Sequence, residues 1–325
     1  MTTSTAPRLD LDLEVAAPDV AGPLAVFPLF GPPPRMLYKP FARAVADGVT
    51  VRERPGHASV NDLVVDNPTP DAVLLYDGEE VAGAQQDRTF DVSVLVAPRT
   101  TLEVPVSCVE HGRWDGSRHH EAFSPAPHAA FPELRRVKAM RARQHAAAGL
   151  RARADQGEVW ATVERKHDRL ATASATGAMR DIFDGRREHL DELRAAIRPR
   201  PGQVGTLCAI AGRFVVLDHA SRPDAFAVLA EPLVRGYALD ALEHLGAVRL
   251  PDAPSVDAAQ AFVAAACAAP TAERPGVGLG VEARFASDGV SGTALVHDGE
   301  VVQLTAFGEE RPRPSVRIRR ASRRR

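Results

Sequence analysis

Cysteine is scarce in this chain of 325 residues: only Cys108, Cys208 and Cys267 occur. They are too far apart for a CxxC pair or a disulfide framework. Each lies in an apolar run and reads as a small core residue in a reducing compartment. Charge of one sign is also lacking. The formal net charge is −2, which excludes a surface built as a whole to hold polyanions. No stretch approaches the roughly 18 uninterrupted apolar residues of a membrane span. The N-terminal MTTSTAPRLDLDLEV has no basic segment followed by an apolar block, so it is no secretory signal. The cytoplasm is therefore the expected compartment.

Catalytic signatures are missing too. There is no GxSxG elbow. Gly276–Gly280 has no third glycine at the spacing of a dinucleotide fingerprint and lacks its βαβ setting. His119-His120-Glu121 are adjacent rather than spaced like the ligands of a zinc helix, and no metal ligands are assigned. No internal repeat of fixed period is evident.

What is present is β-structure followed by helices. Residues 1–22 are polar and rich in Pro and Ala, and read as a loose leader. Residues 23–114 read as an antiparallel β-domain, a sandwich or small barrel. Val73–Tyr76 and Glu79–Ala82 flank Asp77-Gly78, the signal of a tight hairpin. Phe90–Val96 and Leu102–Cys108 alternate with period two, and Pro105 places the second run at an edge or a bulge. Residues 115–200 read as a loop and helices, with helices over 134–153 and 179–197 and a capping box at Asp155 and Glu158. Residues 201–310 read as a C-terminal α/β segment. It has hairpins at Ala211-Gly212 and Asp298-Gly299, and helices over 223–235, 237–244 and 256–268. Residues 311–325, RPRPSVRIRRASRRR, read as a basic disordered tail; nucleic acid is not expected to bind except through it. The fold class is α+β.

The stretch from Tyr76 to Trp114 concentrates the chemistry. Glu79 and Glu80 are adjacent carboxylates that can serve as general base or hold a hard cation such as Mg²⁺. Gln86 offers both donor and acceptor, Arg88 can clamp a phosphate or carboxylate, and Glu110 and Arg113 close the following strand. Trp114 supplies a face on which a base or sugar can stack. The same residues also admit structural roles: Glu80 with Arg88 as an ion pair, and Trp114 as a plug at the end of the β-domain. Thr176 and Gly177 fit either an anion site or an ordinary N-cap.

The blocks DGEEVAGAQQDR, VPVSCVEHGRW, DQGEVW, SATGAM, PGQVG and LVRGYALDAL, in this order over about residues 24–245, resemble those of the ARG and rhodanese-phosphatase-superfamily-associated protein domain family. Gln85, Asp87 and Ala175 stand where the family pattern favours Lys, Asn and Pro. The resemblance implies association with ADP-ribosylglycohydrolase or phosphatase-type partner proteins, and a role near ADP-ribose, NAD-derived or phosphoester metabolism. The family carries no catalytic assignment, so it transfers none. Three readings stand side by side. The leading one is binding of a nucleotide-like or phosphorylated small molecule by Gln86, Arg88, Glu110, Arg113 and Trp114, with Glu80 in the same pocket. The second is hydrolysis of a phosphoester or ADP-ribose-type substrate by Glu79 and Glu80. The third is a structural or partner-binding protein with no small-molecule site. The cofactor is unknown.

Overall fold

The strand Leu24–Phe30 is apolar at every position, which a strand tolerates only when both its faces are covered. In the computed structural model, which describes residues 7–56, 59–149 and 153–309, this strand lies next to one edge of a nine-stranded antiparallel sheet, with a core on each face. The order from one edge is Glu14–Val15, Leu24–Phe30, Gly205–Ile210, Arg213–Ala220, Glu300–Gly308, Val290–His297, Val281–Ser287 and Thr271–Pro275, with Asp19–Ala21 also pairing to Leu24–Phe30. Leu24 and Val26 face a core built with the helix Pro223–Leu242. Ala25, Phe27 and Leu29 face the opposite core, under the helix Val256–Ala268. The chain is α+β, as its pattern suggests.

A second sheet runs Ser124–Ala129, Glu79–Ala82, Arg88–Phe90, Thr100–Cys108, Asp62–Asn67 and Thr50–Arg52. It curls until its edges meet: Arg52 bridges Ala122, and the Phe123 N–H donates to the Val51 carbonyl at 2.9 Å. Val51, Leu63, Val65, Val81, Phe90, Val104, Val106 and Phe123 fill the interior. Pro105 sits where Thr100–Cys108 passes from one neighbour to the next. Residues up to Pro105 pair with Asp62–Asn67 and those from Val106 pair with Arg88–Phe90, so the missing N–H falls at the change of partner. A three-stranded sheet of Val94–Val96, Ala72–Leu75 and Tyr38–Pro40, the last pair parallel, joins the two bodies. Val73 and Leu75 face the barrel core, whereas Ala72 and Leu74 face the large sheet's core.

Several expectations are corrected. Residues 7–22 are no loose leader, since Glu14–Val15 and Asp19–Ala21 pair with Leu24–Phe30; residues 1–6 and the basic tail lie outside the described residues. Asp77-Gly78 does not close a hairpin. Ala72–Leu75 pairs within the small sheet and Glu79–Ala82 within the barrel, because only Gly78 has positive φ, at 84°, and a type I′ turn needs it at both central residues. Asp298 and Gly299, at 48° and 71°, do form that turn. The run Phe90–Val96 is split between Arg88–Phe90 and Val94–Val96, in different sheets. The helix expected over 179–197 breaks into Met179–Gly185 and Arg187–Ala195, and the Arg186 guanidinium caps the Leu170 carbonyl. Conversely, Pro223–Leu242 is one helix carrying Pro232 and Gly236. A side chain at Gly236 would meet the Ala129 carbonyl at 3.0 Å, so the glycine lets the barrel strand lie against the helix. No helix among the described residues is long and apolar enough to cross a membrane.

Candidate functional site

Strand alternation sorts the sequence-picked residues onto two faces of the barrel wall. Val81, Arg88 and Cys108 are cross-strand partners on the inner face. Glu80, Thr89 and Ser107 form the next row, on the outer face. Glu79 and Glu80, adjacent in sequence, therefore point apart.

The inner group lies at one end of the barrel. The side chain of Arg88 is wholly buried there. Its Nη1 donates to Gln86 Oε1 at 3.0 Å and to the Asp87 carbonyl at 3.5 Å. Nε and Nη2, the other edge of the fork, have no hydrogen-bond partner. Glu53, on the chain leaving the strand Thr50–Arg52, is buried opposite, its Oε1 3.7 Å from Arg88 Nη2. Burial raises the Glu53 pKa, against the pull of the Arg88 charge and the Gln85 backbone N–H, and neither carboxylate oxygen accepts a well-formed hydrogen bond. Burial likewise lowers the Arg88 pKa. Gln85 contacts His119 Nδ1 through Nε2 at 2.8 Å, which leaves its Oε1 without a partner. The indole of Trp114 lies over the Arg88 guanidinium, 5.8 Å from ring centre to Cζ, and is half exposed. Trp114 is thus the solvent-facing cover of a buried polar floor.

Gln86, Glu110 and Arg113 are committed elsewhere. Gln86 donates to the Glu110 carbonyl at 3.0 Å and accepts from the Cys108 thiol at 3.1 Å. Arg113 donates to Glu110 Oε2 at 2.8 Å, to the Ala84 carbonyl at 2.7 Å and to Asp87 Oδ1 at 3.1 Å. Glu110 also accepts from the Asp87 N–H and the Thr176 hydroxyl. Burial would raise its pKa, but these donors, Arg113 foremost, hold it below the usual carboxylate range. Glu110 and Arg113 thus staple the loops at 83–87, 110–114 and 174–178 together. Gly112 completes the staple: its N–H donates to the Thr176 carbonyl at 2.6 Å, and a Cβ there would sit 2.9 Å from the Thr176 backbone.

On the outer face, Glu80 is fully buried with His128 Nε2 2.8 Å from Oε2, and the imidazole stacks on Phe183 at 3.9 Å. Asp87 is pushed up to about 6 by burial and then by the Glu80 charge; its Oδ2 lies 3.2 Å from Arg180. Glu79 is turned into the Tyr76–Glu79 turn, where it accepts the Tyr76 N–H at 2.7 Å, and burial pushes it up to about 8.

Sequence reasoning did not pick out Glu53, His128 or Arg180. None has a motif; each is brought in by barrel closure or by the helix Met179–Gly185. It also passed over Lys166, buried among Asp240 at 2.7 Å, Glu133 at 3.2 Å and Glu243, beside a cavity of about 160 Å³. One oxygen from each of these three acids lies within 4.8 Å of the others, and the ammonium of Lys166 sits among them.

The profile of the ARG and Rhodanese-Phosphatase-superfamily-associated Protein domain matches residues 12–307. The chain belongs to this family. No curated protein and no solved structure matches it. The matched span takes in both large sheets, so the domain of this family is the barrel together with the nine-stranded sheet and its helices.

Proposed function

We propose that the protein binds a nucleotide-like small molecule at the barrel end floored by Arg88 and Glu53 and covered by Trp114. The observation that carries this reading is the fully buried Arg88 guanidinium, whose Nε/Nη2 edge donates no hydrogen bond and meets Glu53 Oε1 as an ion pair at 3.7 Å. A buried cation with open donors costs several kcal/mol unless something accepts from it, by roughly the 3–5 kcal/mol scale of broken buried pairs. Barrel ends are common ligand sites, and a half-exposed indole over the floor suits a stacking ring. The family's association with ADP-ribosylglycohydrolase and rhodanese-phosphatase proteins supports a ligand from ADP-ribose or NAD-linked chemistry, handled in the cytoplasm beside such partners. The test is thermal stabilisation of the full chain by ADP-ribose, NAD and their fragments. Abolition of the shift by Arg88→Met supports the reading, and a flat response across the panel counts against it.

A second reading, hydrolysis, is favoured by the outer face. Glu80 beside His128 is a carboxylate–imidazole pair, and Asp87 near 6 is poised for proton transfer. Loss of turnover on a phosphoester or ADP-ribosyl substrate in Glu80→Gln, at unchanged melting temperature, would support it. Unchanged turnover would remove Glu80 from the chemistry.

A further inference from the structure

The chemistry of the barrel floor narrows the ligand class, given the barrel-end reading above. The unpartnered groups there are not all donors. Arg88 presents N–H donors on Nε and Nη2, while Glu53 presents a carboxylate that accepts no well-formed hydrogen bond, although the Gln85 backbone N–H and Arg88 Nη2 approach it, and Gln85 presents its Oε1. Gln85 Nε2 lies 2.8 Å from His119 Nδ1, which accepts from it in the tautomer protonated on Nε2. Donor and acceptor lie side by side, with Glu53 Oε1 3.7 Å from Arg88 Nη2 and neither side chain exposed.

A phosphate or carboxylate would satisfy the Arg88 edge but would bring its negative charge against the Glu53 carboxylate and leave the Gln85 oxygen without a donor. Like charges in a low-dielectric site repel strongly, and an acceptor left unpaired costs about 1–3 kcal/mol. A lone ammonium would meet the opposite difficulty at Arg88. A neutral edge that carries an acceptor next to an N–H donor meets both halves of the floor at once. Amides and amidines have that arrangement, and when they are part of a flat ring the ring face can lie on Trp114.

We infer that the barrel end recognises a neutral planar heteroaromatic ring through an amide or amidine edge. The ring's acceptor takes the Arg88 N–H groups, its N–H donates to Glu53 or Gln85, and its face stacks on Trp114. Any phosphate on the same ligand lies outside the floor and adds little to recognition. The specificity residue is Glu53, because it converts an anion clamp into a mixed donor–acceptor surface.

The experiment uses the full chain and reads both melting temperature and quenching of tryptophan fluorescence. The probes are matched pairs: nicotinamide against nicotinate, and adenosine against purine riboside, with inorganic pyrophosphate and ribose 5-phosphate as ring-free anions. Nicotinamide and adenosine should bind. Their partners, which lack the N–H donor, should bind roughly ten-fold more weakly or worse, the loss expected for one hydrogen bond to a charged group. Arg88→Lys keeps the charge but not the fork and should weaken both good ligands. Glu53→Gln should narrow the gap between nicotinamide and nicotinate, an effect that mere loss of stability would not produce. Stronger binding of nicotinate or pyrophosphate, still dependent on Arg88, would overturn the neutral-ring inference and leave the barrel-end site standing. No response to any probe would overturn both.

Discussion

Arg135 grips Asp218 with two nitrogens, Nη2 at 2.6 Å from Oδ1 and Nη1 at 2.9 Å from Oδ2, and neither side chain has exposed surface. The pair stands where three bodies meet. Arg135 comes from the helix Pro132–Ala147 and Asp218 from the central strand Arg213–Ala220, while Asp77, which also bonds Arg135, comes from the turn entering the barrel. Tyr76 and Tyr237 both donate to Asp218, and Thr305 donates to Asp77. The network is closed, unlike the floor around Arg88. That contrast separates Arg135, whose donors are met, from Arg88, which keeps donors that form no hydrogen bond.

Removing one member should therefore be costly. Arg135→Met leaves the buried Asp218 and the half-buried Asp77 without their cation and should destabilise the fold by about 3–5 kcal/mol. Asp218→Asn keeps hydrogen-bonding capacity but not charge and should cost less. Urea denaturation of both variants checks this order; equal, small losses would show that the network contributes little.

Arg113 and Arg88 should separate in the same way. Arg113 is bound on all sides by Glu110, Asp87 and backbone carbonyls, so Arg113→Met should lower the melting temperature markedly and leave ligand affinity per folded molecule unchanged. Arg88→Met should remove affinity. Equal loss of affinity in the two variants would mean that the loops stapled by Arg113 themselves form the site.

Gly112→Ala tests the staple without touching charge. The added methyl would press on the Thr176 backbone from 2.9 Å, an overpacking that typically costs about 1–3 kcal/mol. Hydrogen exchange should report faster opening at 110–114 and 174–178 together. A change confined to one of the two segments would show that they are not coupled.

Much of this was legible in the sequence, and the failures have physical causes. Asp298-Gly299 and Asp77-Gly78 are the same dipeptide, yet only the first forms the tight hairpin turn. Asp77 is drawn into the Arg135 network, and its N–H bonds Ser93, so tertiary contacts override the local turn preference. The polar stretch from Tyr76 to Trp114 was visible as a cluster. The division of its residues between the two faces of a wall, and between satisfied and open groups, was not. That division depends on partners such as Glu53, His128 and Thr176, which are set by sheet closure and helix docking rather than by neighbours in the chain. Lys166 with Glu133, Asp240 and Glu243 escaped for the same reason: the charges lie on different helices and meet only once these pack.

Glu79 gives the fold a pH dependence of predictable sign. Its carboxyl is wholly enclosed, and burial raises its pKa from 4.5 to about 8. As pH rises past about 4.5 the unfolded chain releases this proton, whereas the folded chain holds it until about 8. The folded state binds more protons across that window, so the contribution is fully present in acid and is lost as pH climbs toward 8. Asp87, raised to about 6, acts in the same direction over a narrower range. His219, lowered by burial to about 4, acts oppositely, costing stability as pH falls from 6.5. Glu79→Gln isolates the first effect. The amide mimics the protonated acid, since its oxygen can still accept the Tyr76 N–H. Wild type and variant should be equally stable near about pH 4, and the variant should be the more stable by a few kcal/mol at about pH 9, since each pKa unit is worth about 1.4 kcal/mol. Equilibrium denaturation at the two pH values measures it. Parallel curves for the two proteins would mean that Glu79 is ionised in the fold and stabilised by charges that its surroundings do not reveal.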